Sequence, residues 1–286
     1  MGATSTAYRQ RVDRHDAIET GVLPTGHPYA RVGTGSRLVL SIPGLSMTHE
    51  PSTPKVVGRL WRSWRDPIER HDLTFVEVGR RADLTPGSTA PDIADDYAAV
   101  IRERWGRAVG VMGMSTGGGY AQWLAIRHPE LVERLVLGYT GHRITPAALA
   151  DQHRAVEHFL AGRWRSGYAV FGEWFIPAHR RLAGAAFWLL GPHVMGRPKD
   201  LRVLRIDSDS DDAFDASAHL AEIHCPTLVI SGGRDAVYPQ DLTRELVAGI
   251  AGARHIEYPK AGHGTGGRRL AEDACAFLGG AADEAR

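Results

Sequence analysis

The sequence predicts an α/β fold: a mostly parallel, doubly wound sheet with helices packed on its faces. Short apolar runs alternate with longer stretches in which apolar residues recur at helical spacing, and strands alternating with helices build parallel sheets. A glycine-rich turn, Gly113-Met114-Ser115-Thr116-Gly117, joins the apolar run 108–112 to a helix-like run over 120–128. The third observation is length: 286 residues, 43% of them hydrophobic, can bury one large core that carries an insert.

The elements follow in chain order. Residues 17–23 and 28–32 read as an opening antiparallel pair, and Gly33-Thr34-Gly35-Ser36 makes the turn after it. Residues 37–42 form a short apolar strand that leaves through Pro43-Gly44-Leu45-Ser46. Helical spacing over 54–68 puts Val57, Leu60, Trp61, Trp64 and Ile68 on one face. Residues 73–78 are the next strand and 79–88 a loop; 91–105 is a helix with proline in its first turn. The glycine-rich turn and its helix come next, then a buried strand over 134–139. Two more strands are expected over 227–231 and 254–258.

The stretch 140–226 is too long for an ordinary connection and shows no clear strand. It is rich in aromatic residues: Phe159, Trp164, Tyr168, Phe171, Trp174, Phe175, Phe187 and Trp188. We read 142–222 as a helical cap inserted over the sheet. Most of the aromatics are expected to pack the cap onto the core, and some to line a site beneath it. The domain organisation is then a flexible N-terminus over 1–16, a core of 17–141 and 223–286, and the cap.

Three positions carry chemistry. A strand, G-x-S-x-G and a helix in succession form a nucleophile elbow, which presents Ser115 on a sharp turn. A serine hydroxyl is a weak nucleophile until a base removes its proton and donors receive the developing oxyanion. Downstream, Gly232-Gly233-Arg234-Asp235 puts Asp235 just past one strand, and Ala261-Gly262-His263-Gly264 puts His263 just past the last. Functional groups of open α/β sheets lie beyond the carboxyl ends of the strands, where all three fall. Imidazole suits the role of base because it changes charge near neutral pH.

The order Ser115, Asp235, His263, with these strand contexts, resembles the α/β-hydrolase-fold serine hydrolases over roughly residues 17–278. The resemblance implies that Ser115 attacks a carbonyl, His263 relays the proton and Asp235 orients the imidazole. It assigns the oxyanion to two backbone N–H groups, that of Thr116 and that of Leu45. The family often carries His-Gly where this chain has Pro43-Gly44; the amide is available in either case. Some relatives place the acid after the strand that follows the elbow helix, but Gly138-Tyr139-Thr140-Gly141 offers no carboxylate there. In relatives an insert at the position of 142–222 roofs the active site.

The expected activity is hydrolysis of an ester, lactone or thioester of a hydrophobic small molecule, without cofactor or metal. The same fold hosts C–C bond hydrolases, acyltransferases, peptidases, haloperoxidases, lyases and non-catalytic ligand-binding members. A serine at position 115 excludes the aspartate-nucleophile enzymes.

Other features are read as structural. A formal net charge of +1 gives no reason to expect a nucleic acid or anionic membrane partner. No run of eighteen apolar residues suits a membrane span. Residues 1–16 lack an apolar secretion signal, and Met1-Gly2-Ala3-Thr4-Ser5-Thr6 matches the myristoylation pattern by chance. Cys225 and Cys275 make no disulfide framework, so a cytoplasmic setting is expected. The acidic run over 207–212 lacks the glycine and distal acid of a calcium loop and is read as a solvated turn. Asp241 is read as a helix N-cap. The oligomeric state, monomer or homodimer, is left open.

Overall fold

A computed structural model describes residues 18–176, 179–194 and 201–280. The segment 1–16, with its myristoylation pattern, lies outside the described residues. The strands are β1 (Ile18–Val22), β2 (Pro28–Val32), β3 (Arg37–Ile42), β4 (Leu73–Val78), β5 (Val109–Met114), β6 (Val132–Gly138), β7 (Thr227–Gly232) and β8 (Arg254–Tyr258). They form one sheet in the order β1-β2-β4-β3-β5-β6-β7-β8. The β1–β2 and β2–β4 pairs are antiparallel, and every pair from β4 to β8 is parallel.

Strand alternation divides the core between two faces. Val229 joins the larger apolar cluster, and its neighbours Leu228 and Ile230 join the other. Helices α1 (Pro54–Leu60) and α2 (Arg65–Arg70) cover one face together with α10 (Gly267–Leu278), through Val57, Ile68 and Phe277. Helices α3 (Ala90–Arg104), α4 (Thr116–Arg127) and α9 (Gln240–Gly249) cover the other, through Tyr97, Leu124 and Leu246. Burial on both faces explains why the central strands read as apolar runs rather than alternating ones.

Between β6 and β7 come α5 (Pro146–Leu160), α6 (Trp164–Phe175), α7 (Arg180–Val194) and α8 (Arg202–Asp212), then a 3-10 turn over Ser217–Glu222. A separate apolar cluster holds this region together: Ala155, Val156, Phe159, Tyr168, Val170 and Leu204. Leu45 and Met47, from the loop after β3, pack against it. No helix among the described residues is long and apolar enough to cross a membrane.

The structure departs from sequence expectation in four places. Residues 54–68 are not one helix but α1 and the start of α2, with a turn over 61–64. Pro67 is the reason: it has no N–H to give a preceding turn, and it is accommodated in the first turn of α2. Leu60, expected on the packed face, is 66% exposed. Residues 207–212 belong to α8, and Asp207, Ser208, Ser210 and Asp211 are buried rather than solvated. Asp241 lies in the first turn of α9, where Pro239 occupies the cap position. The strand expected over 134–139 begins at Val132 and stops at Gly138; Tyr139 has already left it, with φ of 49°.

Candidate active site

Parallel pairing from β3 to β8 brings the ends of those strands to one edge of the sheet. Ser115 follows β5 directly, at φ 52° and ψ −128°. A positive φ at a non-glycine residue costs on the order of 1–3 kcal/mol and persists only where its surroundings enforce it. The enforcement is visible here. Ser115 N donates to Gly138 O at 2.9 Å, and Gly118 N donates to Ser115 O at 2.7 Å. The adjacent glycines permit the close approach. A Cβ on Gly113 would stand 2.5 Å from Gly117 O, and one on Gly117 would collide with the carbonyls of Ile42 and Pro43. The turn is thus wedged between β3 and β6.

The residues picked out by sequence converge. Ser115 Oγ lies 2.9 Å from His263 Nε2, and His263 Nδ1 lies 2.9 Å from Asp235 Oδ2. Asp235 Oδ1 accepts from the amides of Val237 at 2.8 Å and Tyr238 at 3.0 Å, so its second oxygen is held toward His263. His263 and Asp235 are each 6% exposed. Glycine shapes this corner as well: a Cβ on Gly232 would stand 2.6 Å from Ala261 O.

The two residues assigned to the oxyanion flank the serine. Thr116 is the first residue of α4, so its N–H has no acceptor within the helix. Leu45 sits in the loop that leaves β3. That loop passes close to the nucleophile: a Cβ on Gly44 would stand 3.1 Å from Ser115 Cβ and 3.7 Å from its Oγ.

Trp174, one of the aromatics of 142–222 among which sequence reasoning expected site-lining residues, lies beside His263; Tyr139, Tyr238 and the polar layer beneath them were missed. Trp174, Tyr139 and Tyr238 surround His263, with ring centroids at 6.2, 6.2 and 5.8 Å. His263 N donates to Trp174 O at 3.2 Å, which ties α6 to the histidine loop. Burial, and then the charges of Asp211 and Asp235, raise the Tyr238 phenol well above its ordinary value, while hydrogen bonds to Thr140 and Ser115 oppose the rise. Beneath the loop after β3, Arg80 Nε donates to Asp207 Oδ1 at 3.1 Å. Asp211 Oδ2 accepts from Thr116 Oγ1 at 2.9 Å. Burial pushes the Asp211 carboxyl up to about 7. One sequence signal could have revealed these acids. Asp207, Ser208 and Asp211 share the helical spacing of Val203 and Leu204, so a helix that buries the two apolar residues buries the three polar ones as well.

Comparison with known proteins places this arrangement in context. No family model matches the chain. It is 29% identical over 157 residues to the pimeloyl-[acyl-carrier protein] methyl ester esterase of Neisseria meningitidis serogroup C, a match covering 54% of this chain and 61% of the relative. To the enzyme of the same name from Chromobacterium violaceum it is 30% identical over 180 residues, covering 59% of this chain and 68% of that one. Among solved structures, the enol-lactonase of Burkholderia xenovorans superposes with a TM-score of 0.63 at 22% identity, over 93% of this chain and 96% of the other.

Proposed function

The chain belongs to the α/β-hydrolase family, and on that premise we propose that it cleaves an ester, lactone or thioester of a hydrophobic small molecule through an acyl-enzyme on Ser115. The observation that carries the reading is the unbroken relay Ser115–His263–Asp235, with both contacts at 2.9 Å. Ser115 Oγ attacks the substrate carbonyl carbon while His263 Nε2 takes its proton. Asp235 holds Nδ1–H and stabilises the imidazolium that forms. The carbonyl oxygen, now negative, is received by the N–H groups of Leu45 and Thr116. Collapse breaks the C–O or C–S bond while His263 gives its proton to the leaving oxygen or sulfur, which departs as an alcohol or thiol or, from a lactone, remains as a hydroxyl on the acyl chain. Water then attacks the acyl-enzyme with His263 again as base, which releases the acid and restores Ser115.

The substrate class follows from the surroundings. Trp174, Tyr139 and Tyr238 give the relay an aromatic wall. Residues 142–222 act as a cap, and α6 supplies Trp174 to the roof. The relatives' names describe a methyl ester and an enol-lactone hydrolase, both of which break a carbonyl C–O bond. The thiols of Cys225 and Cys275 are free, which supports a reducing, cytoplasmic setting.

Fluorophosphonate labelling tests the reading. Stoichiometric phosphonylation should map to Ser115 by mass spectrometry, vanish in Ser115→Ala and slow greatly in His263→Ala. A well-folded Ser115→Ala variant that hydrolyses esters as fast as the wild type would overturn it.

A further inference from the structure

The Arg80–Asp207 pair plays no part in the proton relay, yet it is completely enclosed: both side chains have no exposed surface. Burial, the largest single influence, would lower the Arg80 pKa, but the charge of Asp207, the Tyr97 and Tyr120 phenols and the hydrogen bond to Asp207 together more than offset it, so the guanidinium stays charged. A buried ion pair is costly to desolvate, and apolar side chains of similar volume often serve stability as well. Its use must be sought in what it holds.

It holds the loop across from Ser115. Arg80 Nη1 donates to Pro43 O at 2.7 Å and Nη2 to Gly44 O at 3.1 Å. Asp207 Oδ2 accepts from Ser46 N at 2.9 Å. The two carbonyls before Leu45 and the amide after it are therefore all fixed by side chains. Tyr120, from α4, lies under the guanidinium at 4.7 Å and donates to Asp207 Oδ1 at 3.2 Å. One helical turn along α8, Asp211 grips the other flank: its Oδ2 accepts from Thr116 Oγ1 and from Gln152 Nε2, each at 2.9 Å.

We propose that Arg80, Asp207 and Asp211 are positioning residues for the oxyanion-binding amides, Arg80 and Asp207 fixing the peptides on either side of Leu45 and Asp211 fixing Thr116. The proposal deepens the hydrolytic reading above and rests on it. Donors aimed at an oxyanion work only if they are already in place when charge develops, because reorientation during the reaction would cancel the gain. The loop after β3 has no regular structure of its own to supply that rigidity; two charged side chains and a helix from the inserted region supply it. Seating of α8 on the sheet then becomes a condition for rapid acylation, not only for stability.

The test uses the full-length protein, p-nitrophenyl butyrate as substrate and a butyl trifluoromethyl ketone, whose serine adduct carries an oxyanion, as probe. The double variant Arg80→Met with Asp207→Leu removes both charges together and so avoids leaving one buried alone. Thr116→Val deletes the hydroxyl that reaches Asp211, while Thr116→Ser keeps it. For folded protein, with active sites counted by fluorophosphonate, kcat should fall about 10- to 100-fold in the double variant and in Thr116→Val. KM should change little, ketone affinity should fall in parallel with kcat, and the midpoint of the pH–rate profile should stay put, because His263 and Asp235 are untouched. Thr116→Ser, which restores the hydroxyl, should recover most of the kcat and ketone affinity that Thr116→Val loses. A folded double variant with wild-type kcat and ketone affinity would overturn the proposal, as would a loss of kcat with ketone binding unchanged. If the double variant fails to fold, the two Thr116 variants decide the matter by the same comparison. Absence of Ser115-dependent turnover in the wild type would instead sink the hydrolytic reading, and this result is read before any positioning variant is made.

Discussion

At the scale of the residue, the site depends on side chains with only one productive partner arrangement. Asp235 shows this clearly. Its Oδ1 is occupied by the amides of Val237 and Tyr238, and only Oδ2 faces His263. In Asp235→Asn the amide oxygen keeps the two backbone donors and the NH2 group turns to Nδ1, forcing the imidazole into the wrong tautomer. The expected result is a fall in kcat of about 10³- to 10⁴-fold with the fold intact, measured by steady-state kinetics beside circular dichroism. Asp211 gives a prediction of another kind. Its carboxyl is raised from 3.8 to about 7, chiefly by burial, so the folded state binds the proton more tightly than the unfolded chain. Its stabilising contribution is present below about pH 4 and is lost as pH rises through about 7, with a ceiling on the order of 4 kcal/mol. Asp211→Asn can still accept from Thr116 and Gln152. The variant's melting temperature relative to wild type should therefore climb from pH 4 to pH 8 and level off above; a flat difference would show that Asp211 is ionised throughout. The sequence revealed Ser115, Asp235 and His263 because each sits in a glycine-marked turn just after an apolar run. It concealed Asp211, because an acid inside an acidic run looks solvated until the helix that carries it is packed.

At the scale of the element, legibility depended on whether a segment's partners were local. Strands buried on both faces announce themselves as short apolar runs, and all the parallel strands were read within a few residues. The break between α1 and α2 was hidden because one apolar stripe continues through it, and only the lost N–H of Pro67 interrupts the ladder. Helix α8 was hidden for a different reason: beside Val203, Leu204 and Ile206 its buried face carries Asp207, Ser208, Ser210 and Asp211, whose partners Arg80, Ser46, Thr116, Tyr120 and Gln152 lie far away in the chain. Helix α4 carries the sharpest element-scale prediction. Its first turn has three glycines where propensity alone would choose alanine. A Cβ on Gly118 would stand 2.5 Å from the Thr140 side chain, and one on Gly119 would only touch Phe214, at 3.0 Å. Gly118→Ala should therefore cost about 1–3 kcal/mol in denaturant unfolding through overpacking, and Gly119→Ala should cost less, part of its crowding being offset by better helix propensity. Equal losses at the two positions would contradict this reading of the contact.

At the scale of the whole molecule, a parallel sheet collects residues from three separate connections at one edge, and the region between β6 and β7 packs over that edge with unequal grip. Helix α8 is bound to the core by the Arg80–Asp207 and Thr116–Asp211 contacts, and α6 by the His263–Trp174 backbone bond. Helix α7 is held differently. It packs against α6, where Gly172 and Gly191 let Phe187 and Tyr168 approach closely and Phe175 stacks on Phe187 at 5.4 Å. Its other side leaves Leu182, Trp188, Leu189 and Leu190 largely exposed, with Leu182 at 72%. Pro192 removes one hydrogen bond from its last turn. Elements with few buried apolar contacts open locally at a smaller free energy than the global unfolding. Native-state hydrogen exchange read by mass spectrometry should find the amides of α7 exchanging well before those of β5 and α4, with α8 grouped with the core. Protection of α7 equal to that of β5 would mean that the inserted helices and the sheet open as one unit. Protection of α7 that grows with protein concentration would mean that a second copy covers its apolar side. In the predicted pattern α7 opens while α8 stays with the core; on the proposed hydrolytic reading, substrate would then enter past α7 while α8 keeps Leu45 and Thr116 in place.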